Sequence, residues 1–169
     1  PPARVVYLLR QVCCALREAH SVGLIHRDIK LPNIMVNRLG GECDVVKVLD
    51  FGLVKNVGGD QEDLALSRDD VVSGTPAYIA PERFAGAIVD GRSDLYSLGV
   101  VAFNLLTGQE LFSGVSAMEI VYQVSNSEPR RPSDDLGSGA LPEELEDLVM
   151  ELLAKDPSAR PASAQAVID

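Results

Sequence analysis

Apolar residues at Val5, Leu9, Val12, Cys13, Leu16 and Ala19 recur every three or four positions, which is the spacing of one helix face. They predict a first helix of about four to five turns. Gly23 follows where a left-handed C-terminal cap is expected. The period then changes. Leu24-Ile25, Ile34-Met35-Val36 and Val45–Leu49 are short β-prone runs, and NRLGGECD between the last two is a turn-rich connection. Small β-ribbons presenting loops at their ends are expected from them. Residues 52–79 are rich in Gly, Ser and Asp and hold no sustained period, so they read as a long loop of the kind that usually carries function.

Helical patterning resumes after Pro81, with a short turn near Glu82–Ala85 and then a segment from Leu95 to Thr107 that is apolar on nearly all sides. A helix of that composition belongs at the centre of a domain. Ser116-Ala-Met-Glu119 has the form of a capping box opening another helix. Leu145, Leu148, Val149, Leu152 and Leu153 form the buried stripe of a third. EPRRPSDDLGSG between these two reads as a surface connection, and ASAQAVID starts one more helix at the end. No internal repeat or domain boundary interrupts the pattern. The fold class expected is α+β, mainly α, as one unit with its β-ribbons near the front.

Composition narrows this picture. The 169 residues, 46% of them hydrophobic, suit one packed domain or part of one. With 15 Lys and Arg against 25 Asp and Glu the formal charge is −10, which disfavours nucleic acid and anionic membranes as partners. LYSLGVVAFNLLTG is the most apolar stretch; Ser97 and Asn104 interrupt it, and it falls short of the roughly 20 residues of a membrane span. Cys13, Cys14 and Cys43 form no CxxC pattern, which fits a reducing, cytoplasmic setting, and Cys13 and Cys14 fit packing roles on or beside the buried face of the first helix. His20 and His26 lack neighbours at zinc spacing, so no zinc is expected.

The chemistry concentrates in HRDIKLPNIMV, His26–Val36. Asp28 lies in a loop between a helix and a β-run, Asn33 follows five positions later, and Asp50 ends an apolar run just before Phe51-Gly52. Two carboxylates and an amide oxygen are hard ligands suited to Mg²⁺ bound with substrate phosphates. Lys30 stands where it can neutralise a developing phosphate charge, so the set describes a phosphoryl-transfer site.

Five motifs in order resemble the C-terminal lobe of the eukaryotic-type protein kinases: HRDIKLPN (His26–Asn33), DFG (Asp50–Gly52), APE (Ala80–Glu82), SDLYSLGV (Ser93–Val100) and DPSARP (Asp156–Pro161). The resemblance implies that Asp28 is the catalytic base, that Lys30 contacts the transferred phosphoryl group, and that Asn33 and Asp50 hold the Mg²⁺ ions of bound ATP. Lys30, Pro32, Asn33, Met35 and Asp50 then form the nucleotide side, Met35 as part of the adenine floor. His26 packs into the core, and Arg27 pairs with a phosphate on the activation segment, residues 50–82. Ser67 and Ser73 are the candidate phosphate carriers ahead of Thr75. Thr75 occupies the position from which the family bonds the catalytic aspartate and lysine, so with Lys30 it implies a serine or threonine acceptor in a protein substrate. Asp94 accepts bonds from the catalytic-loop backbone, and Glu82 pairs with Arg160. The family more often has proline directly after the lysine; here Leu31 intervenes, but the spacing of Asp28, Lys30 and Asn33 is unchanged. PERFAG and DGRSDLYSLGV are similar to bacterial members.

The chain contains no GxGxxG loop and no VAIK-like lysine, the parts that cover and clamp ATP in this family. The expectation is a partial kinase domain over 1–169, truncated at both ends, without its N-terminal lobe and inactive alone. Two alternatives stand beside it: a pseudokinase or scaffold using the same fold, and a small-molecule phosphotransferase. The second leaves GTPAYIAPE and the capped helix from Ser116 unexplained.

Overall fold

In the computed structural model, which describes residues 1–51 and 75–169, the first apolar stripe forms α1 (Pro2–Ser21) and buries Val5, Val12, Cys13, Leu16 and Ala19. Its end is closed by two backbone bonds, Gly23 N–H to the His20 carbonyl and Leu24 N–H to the Ala19 carbonyl, each 3.0 Å. Gly23 takes φ +78°, the left-handed geometry this paired closure demands. Burial pushes the Cys13 thiol up to about 12, with Cys14 adding to the rise, so Cys13 acts as an apolar packing residue.

Leu24-Ile25 forms no strand, contrary to the β-propensity of the pair: the segment finds no ladder partner among the described residues and contributes Ile25 to the core. One antiparallel hairpin is present among those residues, β1 (Ile34–Leu39) with β2 (Glu42–Val48), in the register Ile34 to Val48 and Val36 to Val46. Gln11 on α1 clips the hairpin down. Its Nε2 donates to the Asp44 carbonyl at 2.8 Å, and its Oε1 accepts from Val46 N–H at 3.0 Å.

The helices that follow are α2 (Pro81–Phe84), α3 (Gly91–Thr107), α4 (Ala117–Asn126), α5 (Pro132–Leu136), α6 (Glu143–Leu152) and α7 (Ala164–Ile168). α3 is buried continuously from Ser93 to Phe103, which accounts for its apolar composition on all sides. It divides the core into two clusters, one with Tyr96, Phe103, Phe112 and Val124, the other with Val12, Leu16, Ile29 and Leu95. Gly99 lets α3 and α6 approach closely, because a Cβ there would lie 2.8 Å from Leu152 Cβ.

Two local details differ from the sequence pattern. The segment expected to be a plain surface connection contains α5, where Pro132 is buried and Arg131 N–H donates to Asp134 at 2.9 Å. At α4 the Ser116 hydroxyl accepts from Glu119 N–H at 3.2 Å, but the return bond goes one residue further back, from Val115 N–H to Glu119 Oε2 at 2.9 Å. Among the described residues no helix is long and apolar enough to cross a membrane.

Candidate active site

Asp94 anchors the loop that follows α1. Its carboxylate is fully buried and accepts from His26 N–H and Arg27 N–H, each at 2.8 Å. These bonds hold Arg27 at φ +67°, a left-handed conformation that costs a non-glycine residue about 1–2 kcal/mol. A third bond comes from His20 Nε2, 2.8 Å from Asp94 Oδ2. The three donors satisfy a charge that would otherwise be expensive to bury. The His20 ring lies against Gly91, where a Cβ would be 2.7 Å from His20 Nδ1. Arg83 from α2 adds a further tie, Nη1 to the Arg27 carbonyl at 2.7 Å.

His26 locks the loop from within. Its Nδ1 accepts from Asp28 N–H at 3.2 Å, so the proton sits on Nε2, which donates to the Leu49 carbonyl at 2.8 Å. The ring is fully buried and meets Phe51 edge-on, with centroids 4.6 Å apart. Leu49 N–H in turn donates to the Asn33 carbonyl at 2.8 Å. The residue immediately before Asp50 is thereby bonded at both backbone groups to the loop, and Asp50 itself turns outward, exposed, at φ +62°.

The structure brings Asp28, Lys30 and Asn33 into direct contact. Lys30 Nζ lies 2.9 Å from Asp28 Oδ2, and Asn33 Nδ2 donates to both the Asp28 carbonyl and Oδ2, each at 2.8 Å. Leu31–Asn33 is a single 3₁₀ turn, with Leu31 half-buried against the core and Pro32 exposed, so the Leu-Pro order is absorbed in the turn. Met35 on β1 is 45% exposed. Ser67 and Ser73 lie outside the described residues, as does the side chain of Thr75.

Glu82 and Arg160 form a buried fork, Nη1 to Oε1 and Nη2 to Oε2, both at 2.8 Å. Ser93 Oγ also donates to Glu82 Oε1, at 2.6 Å. The sequence reading did not single out His20, Arg83 or Ser93. His20 carried one signal, a basic residue in the last turn of a helix, which points to the helix dipole rather than to Asp94.

His20→Ala is expected to destabilise the protein by about 1.5–3 kcal/mol, the usual worth of a hydrogen bond to a charged group. Chemical denaturation measures it, and an unchanged midpoint would mean that the two backbone amides suffice for Asp94.

The geometry is that of a carboxylate contacted by a lysine and an asparagine on a loop pinned from beneath. The family model described as the protein kinase domain matches residues 2–169, and the chain belongs to that family. It is 42% identical over 163 residues to the serine/threonine-protein kinase pkn3 of Myxococcus xanthus, covering 96% of this chain and 30% of the relative. It is 42% identical over 164 residues to the serine/threonine-protein kinase Pkn1 of the same organism, covering 96% and 23%. The serine/threonine-protein kinase PknL of Mycobacterium tuberculosis is 38% identical over 167 residues, covering 99% and 39%. The chain thus spans less than half the length of these curated relatives.

Proposed function

We infer that this chain is the C-terminal lobe of an ATP-dependent protein serine/threonine kinase and supplies the catalytic half of its active site. The observation that carries the reading is the contact set around Asp28. Lys30 and Asn33 both occupy Oδ2, and Oδ1 has no partner among the described residues, which leaves one carboxylate oxygen to receive a substrate hydroxyl. Asp28 orients that hydroxyl and takes its proton as the new oxygen–phosphorus bond forms and the bond from the γ-phosphorus to the departing ADP breaks. Lys30, held beside the carboxylate, meets the charge of the phosphoryl group in transfer.

The residues also fit Mg²⁺. Asn33 spends Nδ2 on Asp28, leaving its Oδ1 without a protein partner among the described residues, and Asp50 is exposed beside it in sequence to the bonded Leu49. Both are hard oxygen donors of the kind this ion takes together with nucleotide phosphates. When bound, the ion neutralises phosphate charge; Asn33 and Asp50 would hold it. Met35 and Pro32, both exposed, stand on the nucleotide side. The glycine-rich cover and its lysine are assigned to an N-terminal lobe outside these residues, so the 169 residues alone are inactive.

In this reading the activation segment spans 50–82, and Arg27 pairs with a phosphate carried on Ser67 or Ser73, which lie outside the described residues. A cytoplasmic location accords with the three unpaired cysteines. The test is incubation of the full-length protein with γ-labelled ATP and Mg²⁺ in the presence of a protein substrate. Label on serine or threonine is expected. Retention of all label in ATP by folded protein would overturn the reading in favour of a scaffold.

A further inference from the structure

Lys155 takes no part in the contacts around Asp28 and lies in the bend that follows α6. Its Nζ rests against two aromatic faces, 4.7 Å from the Phe112 ring centroid and 5.7 Å from that of Tyr96. It donates to the Val124 carbonyl, in the last turn of α4, at 2.7 Å. It makes no ion pair among the described residues, whereas Lys30 is paired with Asp28 at 2.9 Å. We propose that Lys155 is a site of Nε-acylation, at which the seated amine attacks the carbonyl carbon of a small acyl phosphate.

The surroundings of Nζ are the first argument. One carbonyl and two ring faces hold an ammonium in place, but together they replace its hydration only in part. Glu128 is the carboxylate whose charge reaches it, and Arg160, whose guanidinium lies over the same Tyr96 ring at 5.0 Å, repels it. Glu82 is already engaged, by Arg160 and by Ser93. Burial pushes the Tyr96 phenol up, so that ring carries no charge of its own. The amine answers to this balance. Burial, the largest effect, pushes the Lys155 ammonium down to about 8, with Glu128 opposing the fall and Arg160 adding to it.

The second argument is reach. Lys155 is half-buried rather than enclosed, and its flexible four-carbon stem lets the amine turn outward to meet a donor. An acyl phosphate is small enough to approach a half-buried nitrogen. It also brings less negative charge toward a chain of net charge −10 than an acyl thioester of coenzyme A would. In the reaction the unprotonated nitrogen forms the new N–C bond and the bond from the acyl carbon to the phosphate oxygen breaks. Inorganic phosphate leaves with that electron pair, and the proton on nitrogen passes to water. The product fits the site. The amide keeps one N–H for the Val124 carbonyl and gives up the charge, which removes the repulsion from Arg160.

The experiment incubates the full-length protein with acetyl phosphate from about pH 6.5 to about pH 9. Acetylation of Lys155 is followed by mass spectrometry, beside that of Nα-acetyl-lysine amide in the same tube. At about pH 7.5 an amine at about 8 is roughly one-quarter unprotonated, against about 0.1% for an ordinary lysine at about 10.4. Lower nucleophilicity, at a Brønsted slope of about 0.5, returns roughly 16-fold of that advantage. Lys155 is therefore expected to react about tenfold faster than the model amine. Its rate should level off above about pH 8 while that of the model amine goes on rising, and the advantage should vanish in concentrated urea. A rate no greater than that of the model amine in the folded protein, or an advantage that survives unfolding, overturns the assignment.

Discussion

Asp28→Asn in the full-length protein is expected to lower kcat for phosphoryl transfer by about 10²–10⁴-fold, the usual worth of a general base, with ATP affinity changed little. The substitution is isosteric, so the loop should hold its shape. Asn33 Nδ2 keeps its bond to the residue 28 carbonyl, and the Asp94 bonds to His26 and Arg27 involve backbone groups alone on the loop side. The asparagine Oδ1 can still accept from Lys30 and Asn33, but the remaining group is then an NH₂ that cannot accept the hydroxyl proton. Steady-state rates with labelled ATP, beside calorimetric nucleotide binding, separate the two effects. A loss of ATP affinity as large as the loss of rate would assign Asp28 to holding the nucleotide.

Arg160→Ala should destabilise the protein by about 3–5 kcal/mol, the cost of stranding one partner of a buried ion pair. Against a typical total of 5–15 kcal/mol that threatens folding itself. The Arg160 side chain is fully buried and lies 5.0 Å from the Tyr96 ring centroid. Besides Glu82 it satisfies the carbonyls of Ala154 at 2.7 Å, Arg92 at 3.0 Å and Lys155 at 3.0 Å. Alanine abandons all of these at once and leaves Glu82 with Ser93. Replacing both Glu82 and Arg160 by leucine should cost less than the sum of the single changes, because no charge is then left buried alone.

The pair also sets an acid limit. Burial pushes the Glu82 carboxyl up, but the Arg160 and Ser93 bonds outweigh it and hold the group below its ordinary range. A carboxyl depressed in the folded state contributes fully above its unfolded value of about 4.3, and the contribution is lost as pH falls through the lower folded value. Denaturation midpoints followed from about pH 6 to pH 3 should fall more steeply in the wild type than in Arg160→Ala. Parallel slopes would mean that Arg160 does not hold the carboxylate ionised.

The parts legible in the sequence are those with a strong local period. α1 and its Gly23 closure, the hairpin around Gly40-Gly41, and α3 all follow from residue spacing and turn chemistry. The spacing of Asp28, Lys30 and Asn33 was legible as well, because the set lies within six consecutive residues. What escaped depends on long-range partners. Leu24-Ile25 has strand propensity but no ladder to join, and α5 forms in a Pro/Gly-rich stretch where its first turn closes on Asp134. His20 reaches Asp94 across 74 positions, and no local pattern encodes that distance. Ser93 opens one named motif and Arg83 follows another, and only the packed arrangement gives each its partner.

Leu49 joins the two halves of the site through its backbone, accepting from His26 and donating to Asn33. Because the atoms used are peptide groups, any residue but proline, which lacks the N–H, could maintain the joint at position 49, which places this part of the architecture beyond the reach of most point mutations. The loop from His26 to Asn33 and the start of the DFG turn therefore behave as a single jig. Parts can be mounted on it or taken away, but its internal spacing is set when the backbone folds.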